Sequence, residues 1–230
     1  MAPKKPIEKA TFPHVVESAI ENESGPEALY AALDLGTNSC RMLIAQPKGA
    51  QFHVIDSFAK SVQLGSGLEK TGKLSRDSMN RTIQALKVCK QKLDKYDVKY
   101  SRLIATEACR RAKNSKDFIL KVFQETGLKL NIIDTEEEAR LAVISCAPLV
   151  SSKSEQLLVV DIGGGSTELV WIDLSAVPSH ERPKSIMRLH SGFHSIESPF
   201  PAARVVDWIS VPLGVCLLYT SDAADDSRSV

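Results

Sequence analysis

The chain has no apolar run long enough to span a membrane. It also has almost no net charge: 29 Lys and Arg against 28 Asp and Glu leave +1. No field of one sign therefore draws the whole molecule to nucleic acid or to a membrane surface, and an anionic ligand has to be held by local groups. The five cysteines (Cys40, Cys89, Cys109, Cys146 and Cys216) show no CxxC spacing. An odd, unpatterned set predicts reduced thiols in a cytoplasmic protein. Residues 1–26 hold no long apolar core, so they do not form a signal peptide and read as a polar, flexible leader. Against these absences, 43% apolar and 25% charged residues are an ordinary soluble composition with enough apolar mass for a real core. A length of 230 residues allows one large domain or two small ones.

Residues 29–34, LYAALD, are an apolar run ending in an acid; a turn-rich LGTNS and a second apolar run, CRMLIAQ, follow. QFHVIDSFA (51–59) alternates as a third strand, and LGSGLEKTGK (64–73) reads as a loop. From the N-cap candidate Ser75 to about Tyr96, Met79, Ile83, Leu86, Cys89 and Leu93 keep helical spacing, a stripe that serves core packing. A strand at 102–106 comes next, then a helix at 115–126 stopped by Gly127. A strand at 128–134 leads to a helix from Thr135 to about Ala147, ended by Pro148. This order predicts a mixed sheet with helices on its faces. Residues 175–206 are rich in proline and serine, with one strand expected near 184–190; 207–215 predicts a last strand and turn. His190 and His194 stand four apart, but no helix is evident there and no metal pair is assigned.

At 156–173 the opening pattern returns as QLLVVD, IGGGS and TELVWID. Aligning Asp34 with Asp161 brings Gly36 onto Gly163, Ser39 onto Ser166 and Arg41 onto Glu168, with matching apolar flanks. The chain reads as a duplicated unit, two domains that open on the same hairpin. Glycine allows positive φ and close approach of another group, and successive amides in such a turn form a concave anion site. A plain tight hairpin needs one or two glycines at most; three in a row at Gly163, Gly164 and Gly165 suit phosphate. No Lys follows Gly165, which excludes a Walker loop, and TELVW continues as a strand, which excludes the dinucleotide fingerprint. Two such loops, Gly36-Thr37-Asn38-Ser39 and Gly163 to Thr167, are expected to face each other across a cleft and hold a phosphate chain from both sides. Asp34, Asp161 and Glu168 beside them would repel that chain unless a cation lay between, and Mg²⁺ suits oxygen ligands and phosphates. The plain alternative is that these carboxylates bond nearby turn amides.

DLGTNSCRMLIA paired with VVDIGGGSTELV resembles the two phosphate motifs of the acetate and sugar kinase, heat-shock chaperone and actin superfamily. LGSGLEKTGKLS, IATEACRRA and IIDTEEEARL between them narrow the resemblance to the exopolyphosphatase and guanosine pentaphosphate phosphatase (Ppx/GppA) family, over about residues 29–173, with a weaker echo at ISVPLGV. The resemblance implies an α/β fold of duplicated ribonuclease H-like (actin-like ATPase) domains with mixed sheets and flanking helices. It implies hydrolysis of the terminal phosphoryl group of inorganic polyphosphate or guanosine pentaphosphate, with Mg²⁺, in an interdomain cleft. It assigns Glu138 as catalytic base, Arg110 as a phosphate contact, and Asp161 and Glu168 as metal-binding acids, with Asp34 beside them. Read from the residues alone, Thr135 and Glu138 make a capping box at a helix start. Arg110 and Arg111 are adjacent, so only one is expected to face the cleft; Arg41 could touch phosphate or solvent.

The expected division is a leader (1–26), a first domain (27–134), the start of an incomplete second domain (135–215) and a non-native tail (216–230), because CLLYTSDAADD resembles read-through of adapter sequence. Readings from other classes are a phosphate-chain or nucleotide sensor without turnover, a kinase or ATPase of the wider superfamily, and an inert fragment. Homodimerisation stays open, and neither nucleic acid nor membrane is an expected partner.

Overall fold

The computed structural model describes residues 28–48, 51–189 and 202–215. The leader, His190 and His194, and the tail expected at 216–230 lie outside them. Three antiparallel strands open the chain: β1 (Tyr30–Leu35), β2 (Ser39–Lys48) and β3 (Gln51–Ser61). Helices α1 (Leu68–Thr71) and α2 (Arg76–Lys95) lead to β4 (Tyr100–Ala105). Then come α3 (Glu107–Arg111), α4 (Ser115–Thr126) and a short β5 (Asn131–Ile132). β4 lies parallel to β1 and β5 parallel to β4, so the sheet is mixed, in the order β3-β2-β1-β4-β5. α5 (Thr135–Cys146) precedes a second, three-stranded antiparallel sheet of β6 (Gln156–Ile162), β7 (Thr167–Asp173) and β8 (Arg204–Val211), with α6 (Arg182–Met187) between the last two strands. No helix among the described residues is long and apolar enough to cross a membrane.

Local chemistry explains most boundaries. Ser75 caps α2 by accepting from the Ser78 amide. Gly127 ends α4 in the left-handed region at φ 72°. The strand expected at 128–134 shrinks to two residues, because Leu128, Leu130 and Ile133 are buried as core plugs without continuous pairing. The loop at 64–73 contains the single turn α1, bracketed by left-handed Gly67 and Gly72. The strand expected near 184–190 is instead the helix α6, with Pro183 in its first turn, where its missing N–H costs nothing.

Each sheet has its own apolar core. Ala31, Leu33 and Leu35 of β1 and Cys40, Met42 and Ile44 of β2 pack beneath Ile83, Leu86 and Cys89 of α2 and Phe118 and Val122 of α4. In the second unit Val170 and Ile172 of β7 pack against Ala139 and Val143 of α5 and Ile186 of α6. Cys40, Cys89, Cys109 and Cys146 are free thiols, and burial pushes the Cys109 thiol up to about 12.

The two units differ on one face. Leu158, Val160 and Ile162 of β6 occupy the repeat positions of Ala31, Leu33 and Leu35. They are 64%, 50% and 60% exposed, because no counterparts of α2 and α4 cover them among the described residues. The opposite face of this sheet, which carries Asp161 and Glu168, looks toward α5. α5 also reaches the first sheet: Arg102 of β4 pairs with Glu137 at 2.6 Å, and Leu141 closes one side of a cavity of about 420 Å³ lined by Ala32, Asp34, Arg41, Leu43 and Ile104. The start of α5 is thus the place where the acid-bearing faces of both sheets meet.

Candidate active site

The two hairpins are built alike. Gly36 N donates to Ser39 O at 2.9 Å, and Gly163 N donates to Ser166 O at 2.8 Å. The amides of Thr37 and Asn38, and of their repeat equivalents Gly164 and Gly165, donate to no backbone carbonyl among the described residues. Carbonyls of the same loops are spoken for. Thr37 O accepts from Gly65 N, Asn38 O from Val62 N and Gln63 N, and Gly163 O from Val215 N. Each turn therefore leaves its middle donors free, the polarity an anion requires.

The glycine triplet serves close approach, not positive φ; the positive-φ glycines among the described residues are Gly67, Gly72 and Gly127. What comes close is the other hairpin. A Cβ on Gly164 would stand 3.1 Å from Asn38 Cβ, and one on Gly165 would stand 2.7 Å from Thr37 Oγ1 and 3.1 Å from Glu107 Cγ. The two tips are in contact, Gly164 against Asn38 and Gly165 against Thr37.

A further repeat explains what positions the tips. SVQLG (61–65) follows β3, and SVPLG (210–214) closes β8. A Cβ on Gly65 would stand 2.3 Å from Thr37 Cγ2, and one on Gly214 would stand 2.3 Å from Gly164 C. Thr37 and Gly164 are repeat equivalents, so each unit buttresses the same turn position with the same glycine. The matching SVxLG strings carry this signal in the sequence.

The acids converge behind the tips. Asp34 pairs in register with Arg41, and Asp161 with Glu168. Glu168 is buried, its Oε1 accepting from Ser210 Oγ at 2.8 Å. Burial raises the proton affinity of Asp34; Arg41 opposes this and Asp161 adds to it. Thr167 Oγ1 donates to Leu213 O at 2.6 Å, and Ser166 is buried. Among the described residues no group of three or more His, Cys, Asp or Glu side chains forms a metal cage. Two neighbouring carboxylates suit Mg²⁺, which takes one or two of them together with substrate phosphates and water.

Glu138 is not part of a capping box. The cap of α5 is Asp134, whose side chain accepts from Glu137 N at 2.8 Å, one residue ahead of the expected Thr135–Glu138 pair. Glu138 is left to face inward. Its Oε2 lies 2.6 Å from Arg110 Nη2, an ion pair without the alignment of a well-formed hydrogen bond. Burial raises its proton affinity above the ordinary carboxylate range; Arg110 opposes, and Glu168 and Asp34 add to the rise. Arg110 also donates to Ile133 O at 3.0 Å and to Glu107 Oε2 at 2.9 Å, whereas Arg111 turns outward to Glu69. Glu107 escaped the sequence reading because an acid opening a short helix has no signature of its own.

The sequence profile of the Ppx/GppA phosphatase family matches residues 43–215. This chain belongs to that family. A solved Ppx/GppA family member from Aquifex aeolicus is 33% identical, with a TM-score of 0.61, over 84% of this chain and 54% of its own. An exopolyphosphatase-like protein of known structure is 25% identical, with a TM-score of 0.66, over 82% of this chain and 52% of its own. An exopolyphosphatase from Cytophaga hutchinsonii is 22% identical, with a TM-score of 0.65, over 84% and 53%, and shares the fold. The α/β, actin-like architecture that the resemblance implies is therefore established, and the chain spans about half the length of these solved relatives.

Proposed function

We propose that the protein hydrolyses the terminal phosphoryl group of a phosphate chain, inorganic polyphosphate or guanosine pentaphosphate, in the cleft between the two hairpins. The observation that carries this reading is Glu138 Oε2: buried, without a well-aligned hydrogen bond, of raised proton affinity and beside an arginine. In this reading a water attacks the terminal phosphorus in line with the bridging oxygen. Glu138 accepts the water's proton, the bond to the bridging oxygen breaks, and orthophosphate leaves with the shortened chain as the other product. The free amides of Thr37, Asn38, Gly164 and Gly165 and the hydroxyls of Ser39 and Ser166 bracket the phosphates from the tips, with Gly36 and Gly163 closing the turns and the Thr167 hydroxyl bracing its loop on Leu213 O. Arg110 contacts the terminal group as negative charge spreads over its oxygens. Asp161 and Glu168, with Asp34, are the residues that would hold Mg²⁺, which when bound neutralises charge on the phosphate oxygens.

The test is release of orthophosphate from each substrate with Mg²⁺. Glu138→Gln should lower the rate by about 10²–10⁴ while leaving chain binding in place. The contact of the two tips supports a second reading, a binder that closes on a phosphate chain without turnover. Saturable binding by the wild type with no orthophosphate released would select it.

A further inference from the structure

Arg110 Nη2 stands between two carboxylates, 2.9 Å from Glu107 Oε2 and 2.6 Å from Glu138 Oε2. The longer contact is the aligned hydrogen bond; the shorter one leaves Glu138 Oε2 without an aligned donor. Nη1 is committed to Ile133 O. A guanidinium is planar with fixed N–H directions, so whatever grips one edge decides where the rest point. Glu107 is the first residue of α3. An acid in a first turn usually answers the helix dipole from the solvent side. This one is turned inward instead, with its side chain 14% exposed, its Oε1 3.7 Å from Arg111 Nε and its Cγ against Gly165.

We infer that Glu107 is a positioning residue of this cleft: by taking Arg110's aligned hydrogen bond, it leaves Glu138 Oε2 beside a positive charge yet free to accept a proton from water. The inference rests on the reading of Glu138 as the base. Arg110 of α3, Glu168 of β7 and Asp34 of β1 are the charged groups that act on Glu138, and Arg110 is the cation among them. Its orientation therefore sets how far Glu138 is neutralised. Without Glu107, the guanidinium turns onto Glu138 and forms a charge-assisted, aligned pair that lowers the carboxylate's basicity.

The experiment compares the wild-type chain with Glu107→Gln, Glu107→Met and Glu107→Asp. It reads the carbon-13 titration of the Glu138 carboxyl and the pH profile of orthophosphate release from polyphosphate with Mg²⁺. The Gln oxygen still accepts from Nη2, so Glu138 should titrate and turn over as in the wild type. Met fills the space but accepts nothing. The Glu138 midpoint and the acid limb of kcat should both move to lower pH, and kcat should fall about tenfold or more at nearly constant KM, within the range a general base commands. Asp keeps the charge at the helix start but falls a methylene short; it should behave like Met, and it serves if the Met chain does not fold. Met and Asp variants that titrate and turn over like the wild type overturn the inference, and so does a Gln variant as impaired as Met. If the wild type releases no phosphate, the hydrolase reading falls, while the carbon-13 titration still decides whether Glu107 keeps Glu138 free.

Discussion

Gly165 abuts Thr37 so closely that a Cβ on the glycine would stand 2.7 Å from the threonine hydroxyl. The obstructing atom is a side-chain end, which can be cut away. Gly165→Ala should therefore lower stability by about 1–3 kcal/mol, the usual cost of overpacking, and Thr37→Ala in the same chain should recover part of it. Gly214→Ala meets backbone at 2.3–2.4 Å, the carbonyl of Gly164 and the amide of Gly165, which cannot be trimmed. Its loss should be larger and indifferent to Thr37→Ala. Urea unfolding of these four variants against the wild type measures both.

Leu33 and Val160 hold the same place in the repeat, yet Leu33 is 1% exposed and Val160 50%. Leu33→Ala should cost about 2–5 kcal/mol through lost burial and the cavity left behind. Val160→Ala should stay within about 0.5 kcal/mol, as exposed sites do. Denaturant midpoints of the two variants check the contrast.

Glu138 and Asp34 both carry proton affinities raised by burial, from ordinary values of 4.5 and 3.8. The folded chain holds these protons more tightly than the unfolded chain. Their stabilising contribution is complete below those ordinary values and is lost as pH rises through the higher folded ones. Glu138→Gln stays neutral throughout. Its Tm should exceed that of the wild type at neutral pH, and the difference should shrink toward about pH 4. A pH series of thermal melts reads this directly, and a difference that grows on acidification would contradict the burial of Glu138.

Asp134 caps α5. Asp134→Ala should cost about 1 kcal/mol, whereas Thr135→Ala should cost much less, because Thr135 accepts nothing from the first turn. The reverse order of Tm losses would restore the capping box and return Glu138 to a structural role.

Local patterns carried much of this protein. Ser75, Gly127 and the apolar stripe of α2 act within a few residues of themselves, and the hairpin repeat was readable because equal turns need equal spacing of acid, glycine and serine. Tertiary structure decided the rest. The cap fell on Asp134 and not Thr135, a choice between neighbours that depends on how the chain enters the helix. Residues 182–187 coiled because Ile186 had a core to join. The glycines were needed because a second hairpin, 127 residues distant by the repeat from Asp34 to Asp161, presses on them. Above all, the sharing of Arg110 between Glu107 and Glu138 arises only where the first unit's α3 meets α5. Burial and charge at that meeting point depend on groups far apart in sequence, and no local pattern encodes them.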